Sequence, residues 1–312
     1  MPPPLRFSVS VSFGGSHDAK SIGRYGALAE RLGFRSLLAG DHLYMGGRHT
    51  LHSVATLAIL AASTEEIGLG FCSYVLPLRD PLFAAKELAE IDCLSGGRLV
   101  AGLAAGSNAA EFATFGIPFS ERGDRLDEGL GAVMKLWTGE RVNFEGRFYR
   151  FSDAVLAPRP MQQPHPPIWI GSWTGNRRSA ERVVKYAAGW QASGLHTSVA
   201  EFGVGWQRVQ EAARALGRDP SSIRTSYVNA TMWLDSDRTR AWETANSGRI
   251  AGLAPPFPTG VELRLVGTPE DIIGRLGDLA AAGVEEVAIR PPASASEQLE
   301  IFAREVMPAF AG

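Results

Sequence analysis

PLFAAKELAEIDCLSGGRLVAGLAAG, residues 81–106, decides the fold. Ala84, Ala85, Leu88, Ile91 and Leu94 recur at steps of three and four, so this half of the stretch reads as a helix with one apolar face. Gly96 and Gly97 stop it, because glycine takes the left-handed C-cap at little cost. Leu99, Val100, Ala101, Gly102, Leu103, Ala104 and Ala105 then make a nearly unbroken run of small apolar residues. A parallel strand buried on both faces looks like this. Gly106, Ser107, Asn108 and, slightly later, Glu111 follow its C-terminal end. In α/β enzymes that is where ligands bind.

The same rhythm extends in both directions. Strands are expected over residues 5–13, 36–40 and 67–75, with helices over 18–32 and 51–63 between them. Asp18 is a natural N-cap and Gly33 a natural stop. A long helix over 125–137 follows the central strand, and then the alternation breaks. Residues 138–166 carry FEGRFYRF, which reads as a small hairpin, and a proline-rich run from Pro158 to Pro167 that opposes regular structure. This excursion is too short for a core of its own. Strands resume at 167–172, 190–193, 224–234 and 284–290, with helices over 176–188, 199–216 and 294–310 and one within 237–253; Thr268 and Pro269 open one more helix as N-cap and first residue. Eight strands alternating with helices close, with right-handed crossovers, into a (β/α)8 barrel, here with an insertion between the fourth helix and the fifth strand. The 312 residues therefore read as a single domain.

Composition narrows the function. A net charge of -2 gives no electrostatic case for nucleic acid or for an anionic membrane. No apolar run reaches the roughly 20 residues of a membrane span, and MPPPLRFSVS lacks the pattern of a signal peptide. Two cysteines, Cys72 and Cys93, imply no disulfide framework, so a reducing, cytoplasmic setting is expected.

In a barrel the polar residues at strand exits are the catalytic candidates. Asp41-His42 is the sharpest pair, since a carboxylate beside an imidazole can position a ligand and move a proton near neutral pH. An Asp capping the next segment and a His filling a gap would give the same letters. Cys72-Ser73 before Val75, Leu76 and Pro77 could form a bulge that admits a flat ring, or mark a strand that simply ends. Gly171, Ser172, Gly175, Asn176, Arg177 and Arg178 join a strand to a helix N-terminus. They suit a phosphate, or an ordinary capped turn. Glu111 is either a ligand-binding acid or a solvated helix residue. His196 could face a pocket or lie in a loop, and Trp173, Trp190 and Trp233 could line one or sit in the core. His49 and His52 lack a neighbouring acid or thiol to complete a metal set, so no metal is expected.

Several ordered stretches carry a resemblance: AERLGFRSLLAGDH, the block VLPLRDPLFAAKELAEIDCLSGGRLVAGLAAG, EF-x-x-FGIPFSERGDRLDEGL with KLWTGE and FEGRFYRF, PRP-x-Q-x-PHPPIWIG, and GTPEDIIGRLGDLAAAGVEEV. Together they span about two-thirds of the chain and resemble the bacterial-luciferase-like flavin and deazaflavin (coenzyme F420) oxidoreductases. The resemblance implies a barrel with the cofactor ring at its C-terminal face. It implies a bulge at Cys72-Ser73, often with a non-prolyl cis peptide, and a cofactor phosphate on the loop from Gly175 to Arg178. It also implies Asp41, Cys72, Ser73, Gly106, Gly171 and Ser172 around the cofactor, and His42 with Glu111 as the proton-handling pair. Asp-His at the second strand exit is frequent in F420-using members. Ala105 stands where FMN-using members often carry an arginine for the flavin phosphate. Ser107 and Ala187-Ala188-Gly189-Trp190 depart from the common aromatic and Ala-Asp-Gly-Trp. F420-dependent hydride transfer to or from a small organic substrate is thus the implied activity, and a homodimer the implied assembly. The alternatives are an FMN-dependent monooxygenase with a partner flavin reductase, and a non-catalytic cofactor-binding protein. A phosphosugar barrel enzyme fits poorly, because Gly267-Thr268 follows no strand in this reading and residues 284–292 hold no Gly-rich loop. The substrate should be framed by residues 44–50, the proline-rich excursion and residues 254–260.

Overall fold

The computed structural model describes residues 4–11, 13, 17–43, 50–247 and 264–311. The fold is the parallel (β/α)8 barrel class. The chain divides into two compact units, one of Met1–Val11, Arg24–Leu38 and Ser172–Gly312, the other of Ser12–Gly23 and Ala39–Gly171.

The second of these units is built on the opening stretch. Asp80 caps the helix Pro81–Leu94 by accepting from the Leu82 amide, and Pro81 occupies the first turn, where a missing N–H costs nothing. Gly96 and Gly97 both have positive φ, as the stop requires. The strand Leu99–Ala104 pairs in parallel with Gly68–Phe71 and Tyr74–Val75 on one side and with Ile168–Gly171 on the other. Paired on both edges, it is an interior strand, and burial of both its faces is why the run is small and apolar. The expected bulge is real. The Cys72–Ser73 peptide is cis and separates the two short strands.

The excursion contains the expected hairpin, Val142–Glu145 against Arg150–Ala154, with Phe144 and Phe151 stacked across it. Lacking a core, it is held by two carboxylates. Glu128 of the helix Arg122–Leu136 accepts from the amides of Arg147, Phe148 and Tyr149. Asp92, fully buried, accepts from the backbone and side chain of Gln162.

In the other unit the strand Arg6–Val11 pairs with Glu286–Arg290, which pairs with Arg224–Leu234, which pairs with Gly189–Ser193. Phe7, Phe34 and Phe302 pack ring to ring beneath them. The sequence reading needs one correction here. Leu265–Gly267 is a strand, paired with Met232–Leu234, so Thr268 does follow one. Three residues are too few to show a period. Thr268 and Asp271 then form a reciprocal cap on the helix Pro269–Ala281. No described helix is long and apolar enough to cross a membrane.

Gly106, just past the strand Leu99–Ala104, has no room for a side chain. Its φ is +84°, and a Cβ there would lie 2.7 Å from Val75 Cγ1 and 2.8 Å from Phe112 Cε2. Gly106→Ala is expected to cost about 1–3 kcal/mol from overpacking, with roughly 1 kcal/mol more from the left-handed backbone. Urea denaturation measures it, and an unchanged midpoint would refute the close packing.

Candidate functional site

The strand Ser36–Ala39 ends at Gly40 and delivers Asp41 into the interior, where it is 4% exposed. Its two oxygens are fully engaged. Oδ1 accepts from Ser53 Oγ at 2.8 Å and from Arg79 Nη2 at 2.8 Å. Oδ2 accepts from the Val75 amide at 2.8 Å and faces Arg79 Nη1 at 2.8 Å. This is the two-pronged guanidinium–carboxylate geometry, stronger and more directional than a single bond. Arg79 also lies over the Tyr74 ring, 4.2 Å from its centre, and Tyr74 donates its hydroxyl proton to Glu87. Burial pushes the Tyr74 hydroxyl well above the usual phenol range. Asp41 thus ties the exit of one strand to the segment just after the cis step.

The next residue turns the other way. His42 Nδ1 stands 3.3 Å from Glu111 Oε2, and the Leu43 amide donates to Glu111 Oε1 at 2.7 Å. Glu111 is 2% exposed, whereas the His42 side chain keeps a third of its surface. Glu111 sits in the first turn of the helix Ala109–Thr114, which Asn108 caps. A carboxylate is favoured there by the helix dipole. A buried carboxylate fixing one ring nitrogen of a partly open histidine leaves the other nitrogen to exchange protons. That pairing assigns the proton on Nδ1 from the hydrogen-bond network.

Gly171 lies beside the cis step, for a Cβ on it would come within 2.2 Å of Ser73 Oγ. Cys72 is buried and in no disulfide. Within this unit Asp41 holds the Val75 amide, the adjoining His42 pairs with Glu111, Gly106 packs against Val75, and Gly171 lies beside Ser73.

The other unit carries the strand-to-helix loop. Ser172 Oγ accepts from the Gly175 amide, and Gly175 has a φ of +51°. Its Cβ position is closed by Gly205, whose own is closed by Thr174 O and Trp190. Asn176 caps the helix Arg177–Tyr186 by accepting from the Ser179 amide. A capped first turn with glycine before it is a donor set that fits phosphate. The Arg177 guanidinium does not face that turn. It pairs with Glu181 one turn along and is 92% exposed.

Trp173 and His196 were separate candidates in the sequence, and the structure stacks them, 3.9 Å between ring centres and 5° from parallel. Ser193 Oγ holds His196 Nδ1 at 3.1 Å. Thr197 Oγ1 donates to Trp173 O, and Tyr227 donates to Thr197 O. Burial lowers the His196 pKa below 6.5, so the folded chain favours the neutral ring. Its contribution to stability is complete above 6.5, the value in the unfolded chain, and is lost as pH falls through the folded value. On acidification from about pH 7.5 to 5.5, His196→Asn should lose less stability than the parent; parallel losses in chemical denaturation would refute this.

Arg79 and Ser53 escaped the sequence reading. Arg79 offered one signal, a cation directly after the buried run VLPL, which needs a partner. Residues 44–49, His49 among them, and residues 254–260 lie outside the described residues.

A model of the luciferase-like monooxygenase family matches residues 5–260. The chain belongs to that family. The oxygenase component of a flavin-dependent trigonelline monooxygenase from Acinetobacter baylyi is 28% identical, covering 91% of this chain and 87% of its own. An F420-dependent hydroxymycolic acid dehydrogenase from Mycobacterium tuberculosis is 32% identical, covering 76% of this chain and 65% of its own. Among solved structures, monooxygenase RslO1 from Streptomyces bottropensis superposes with a TM-score of 0.85 at 25% identity, over 98% of this chain and 100% of that one. This chain is accordingly a luciferase-like oxidoreductase of the flavin and deazaflavin class.

Proposed function

We propose that the chain is an F420-dependent oxidoreductase that moves a hydride to or from a small organic substrate. The observation that carries this is the His42–Glu111 pair. Hydride chemistry at a C–O or similar bond needs a proton given or taken alongside, and His42 Nε2 would be the atom to do so, with Nδ1 held on Glu111 at 3.3 Å. Asp41 acts as a positioning residue. It fixes the backbone on either side of the site through Ser53, Val75 and Arg79. Gly106, Gly171, Cys72 and Ser73 would border the cofactor, and Ser172, Gly175, Asn176 and the first helical turn at Arg177 and Arg178 would hold its phosphate. Bound deazaflavin would supply hydride exchange at carbon, with no useful oxygen chemistry, and the protein would supply position and polarity.

Ala105 supports F420 over FMN, since it gives no cation to a flavin phosphate. The mycobacterial dehydrogenase points the same way. The second reading, an FMN-dependent monooxygenase served by a partner reductase, has its own support in the Acinetobacter oxygenase component and in RslO1. A parallel fluorescence titration with F420 and FMN separates the two. Tight F420 binding with weak FMN binding is the expected result. Preferred FMN binding, with oxygen uptake once FMN is reduced, would overturn it. Binding without turnover on any substrate would leave a cofactor carrier.

A homodimer in the cytoplasm belongs to the same proposal. Phe83 and Leu94, 71% and 64% exposed, are spaced to share one face of the helix Pro81–Leu94. Light scattering of the purified protein tests it, and a monomer would refute it.

A further inference from the structure

The helices Arg238–Asn246 and Pro269–Ala281 both pack on the strand Leu265–Gly267, and strong hydrogen-bond donors gather where they do so. Trp233 and Trp242 pack against the same buried trio, Ala241, Ala245 and Val266. The Arg264 guanidinium lies over the Trp242 ring, 5.1 Å from its centre, and Arg275 approaches the same ring at 5.7 Å. Arg264 is 8% exposed, and its Nη2 donates to Asn246 Oδ1 at 3.1 Å. Asp271 stands one turn before Arg275, at the spacing of an ordinary helix ion pair. Arg238 takes that carboxylate instead, with both prongs of its guanidinium, and the Thr268 amide donates to it as well. Arg275 turns to the carbonyls of Arg264 and Val266, and forms no ion pair among the described residues. Burial pushes both guanidinium groups below the usual arginine range; at Arg275 the Asp271 charge opposes this and the Arg238 charge adds to it.

Trp233 adds a donor of a different kind. Its Nε1 is buried and has no hydrogen-bond partner. Buried polar groups are nearly always satisfied, so one that is not calls for a reason. Guanidinium and indole N–H groups donate and cannot accept. Two cations beside one indole also repel each other, and the ring quadrupole offsets only part of that. A group that answers all three side chains carries negative charge and several accepting oxygens. Charge-assisted bonds to such a group are the strong ones, and they strengthen where water is excluded.

We infer that Arg264, Arg275 and the indole N–H of Trp233 form a binding site for an oxyanion, the phosphate or carboxylate group of a small molecule, between these two helices. None of the three residues belongs to the set proposed for the cofactor or for proton transfer, so the inference stands apart from the F420 reading. A bound oxyanion would bridge the helix Pro269–Ala281, through Arg275, to the strand Arg224–Leu234, through Trp233. Binding to the folded chain alone would raise its stability with ligand concentration.

The test is isothermal titration calorimetry with inorganic phosphate and, separately, succinate, in chloride of equal ionic strength, with thermal unfolding in the same buffers. The parent should bind at least one of the two anions and unfold at a higher temperature in its presence. Which of them binds separates a phosphate ligand from a carboxylate ligand. Trp233→Phe keeps an aromatic ring and removes only the N–H, and should weaken binding roughly tenfold. Arg275→Gln removes a charged donor and should weaken it by more than that. Arg275 also holds two carbonyls, so Trp233→Phe carries the test if Arg275→Gln does not fold. Circular dichroism at the titration temperature shows which variants are folded. Neither anion binding to the parent more tightly than chloride would overturn the site. Equal affinity in the parent and the folded variants would overturn it too, because the anion would then sit elsewhere, as on the loop at Gly175.

Discussion

Asp41→Ala is expected to cost about 3–5 kcal/mol of folding stability, the range for removing one partner of a buried charge pair. A domain's whole stability is about 5–15 kcal/mol, so this single change should remove a large share of it. The size follows from what is left behind. The Arg79 side chain is only 12% exposed, and without Asp41 its guanidinium keeps the Val75 carbonyl and the Tyr74 ring but no carboxylate. Ser53 Oγ and the Val75 amide lose their acceptor as well. Ser53→Ala alone should cost about 1 kcal/mol, one ordinary hydrogen bond. The double variant Asp41→Ala with Arg79→Ala should cost clearly less than the two single variants added together, because it no longer buries a lone cation. Urea denaturation of the four proteins gives the coupling directly. An additive result would mean that the pair contributes nothing beyond its separate packing.

That cluster also shows where sequence stops being informative. Asp41 and His42 were visible because polar residues at the end of a short apolar strand are unusual there. Gly96, Gly97 and Gly106 were visible because each ends an apolar run, and all three have positive φ. Arg79 was hidden because its partner is 38 positions away and only strand register brings the two together. The Trp173–His196 stack was hidden for the same reason, across 23 positions. Arg177 shows a different limit. Its place at a helix start suggested phosphate, but Glu181 four residues on competes for the guanidinium through the ordinary spacing of helix surface pairs. Leu265–Gly267 was missed because a three-residue strand is defined by its neighbour Met232–Leu234, not by its own pattern. Local composition was enough for elements and exits. Pairings between distant exits needed the folded register.

His42→Ala should lower turnover by roughly 10²–10⁴-fold, the usual contribution of a positioned acid–base group, while cofactor affinity changes little. The dissociation of the two effects is the diagnostic part. His42 keeps a third of its side chain open, and among the described residues its side-chain ion pair is with Glu111, so its loss should not disturb the Asp41 cluster. Glu111 serves two purposes and its variants should separate them. Glu111→Gln retains an oxygen for the Leu43 amide and removes the charge beside Nδ1. It should fold normally and turn over slowly. Glu111→Ala removes both, orphaning a backbone donor next to the site, and should lose stability by about 1–3 kcal/mol in addition. Kinetics at saturating cofactor and substrate, with unfolding measured in parallel, distinguish the outcomes. If Glu111→Gln matched the parent in turnover while Glu111→Ala did not, Glu111 would be a backbone anchor only. If His42→Ala also turned over normally with cofactor bound, the proton would have to reach the substrate from another group. The neutral, stacked His196, held by Ser193, would then be the next residue to replace.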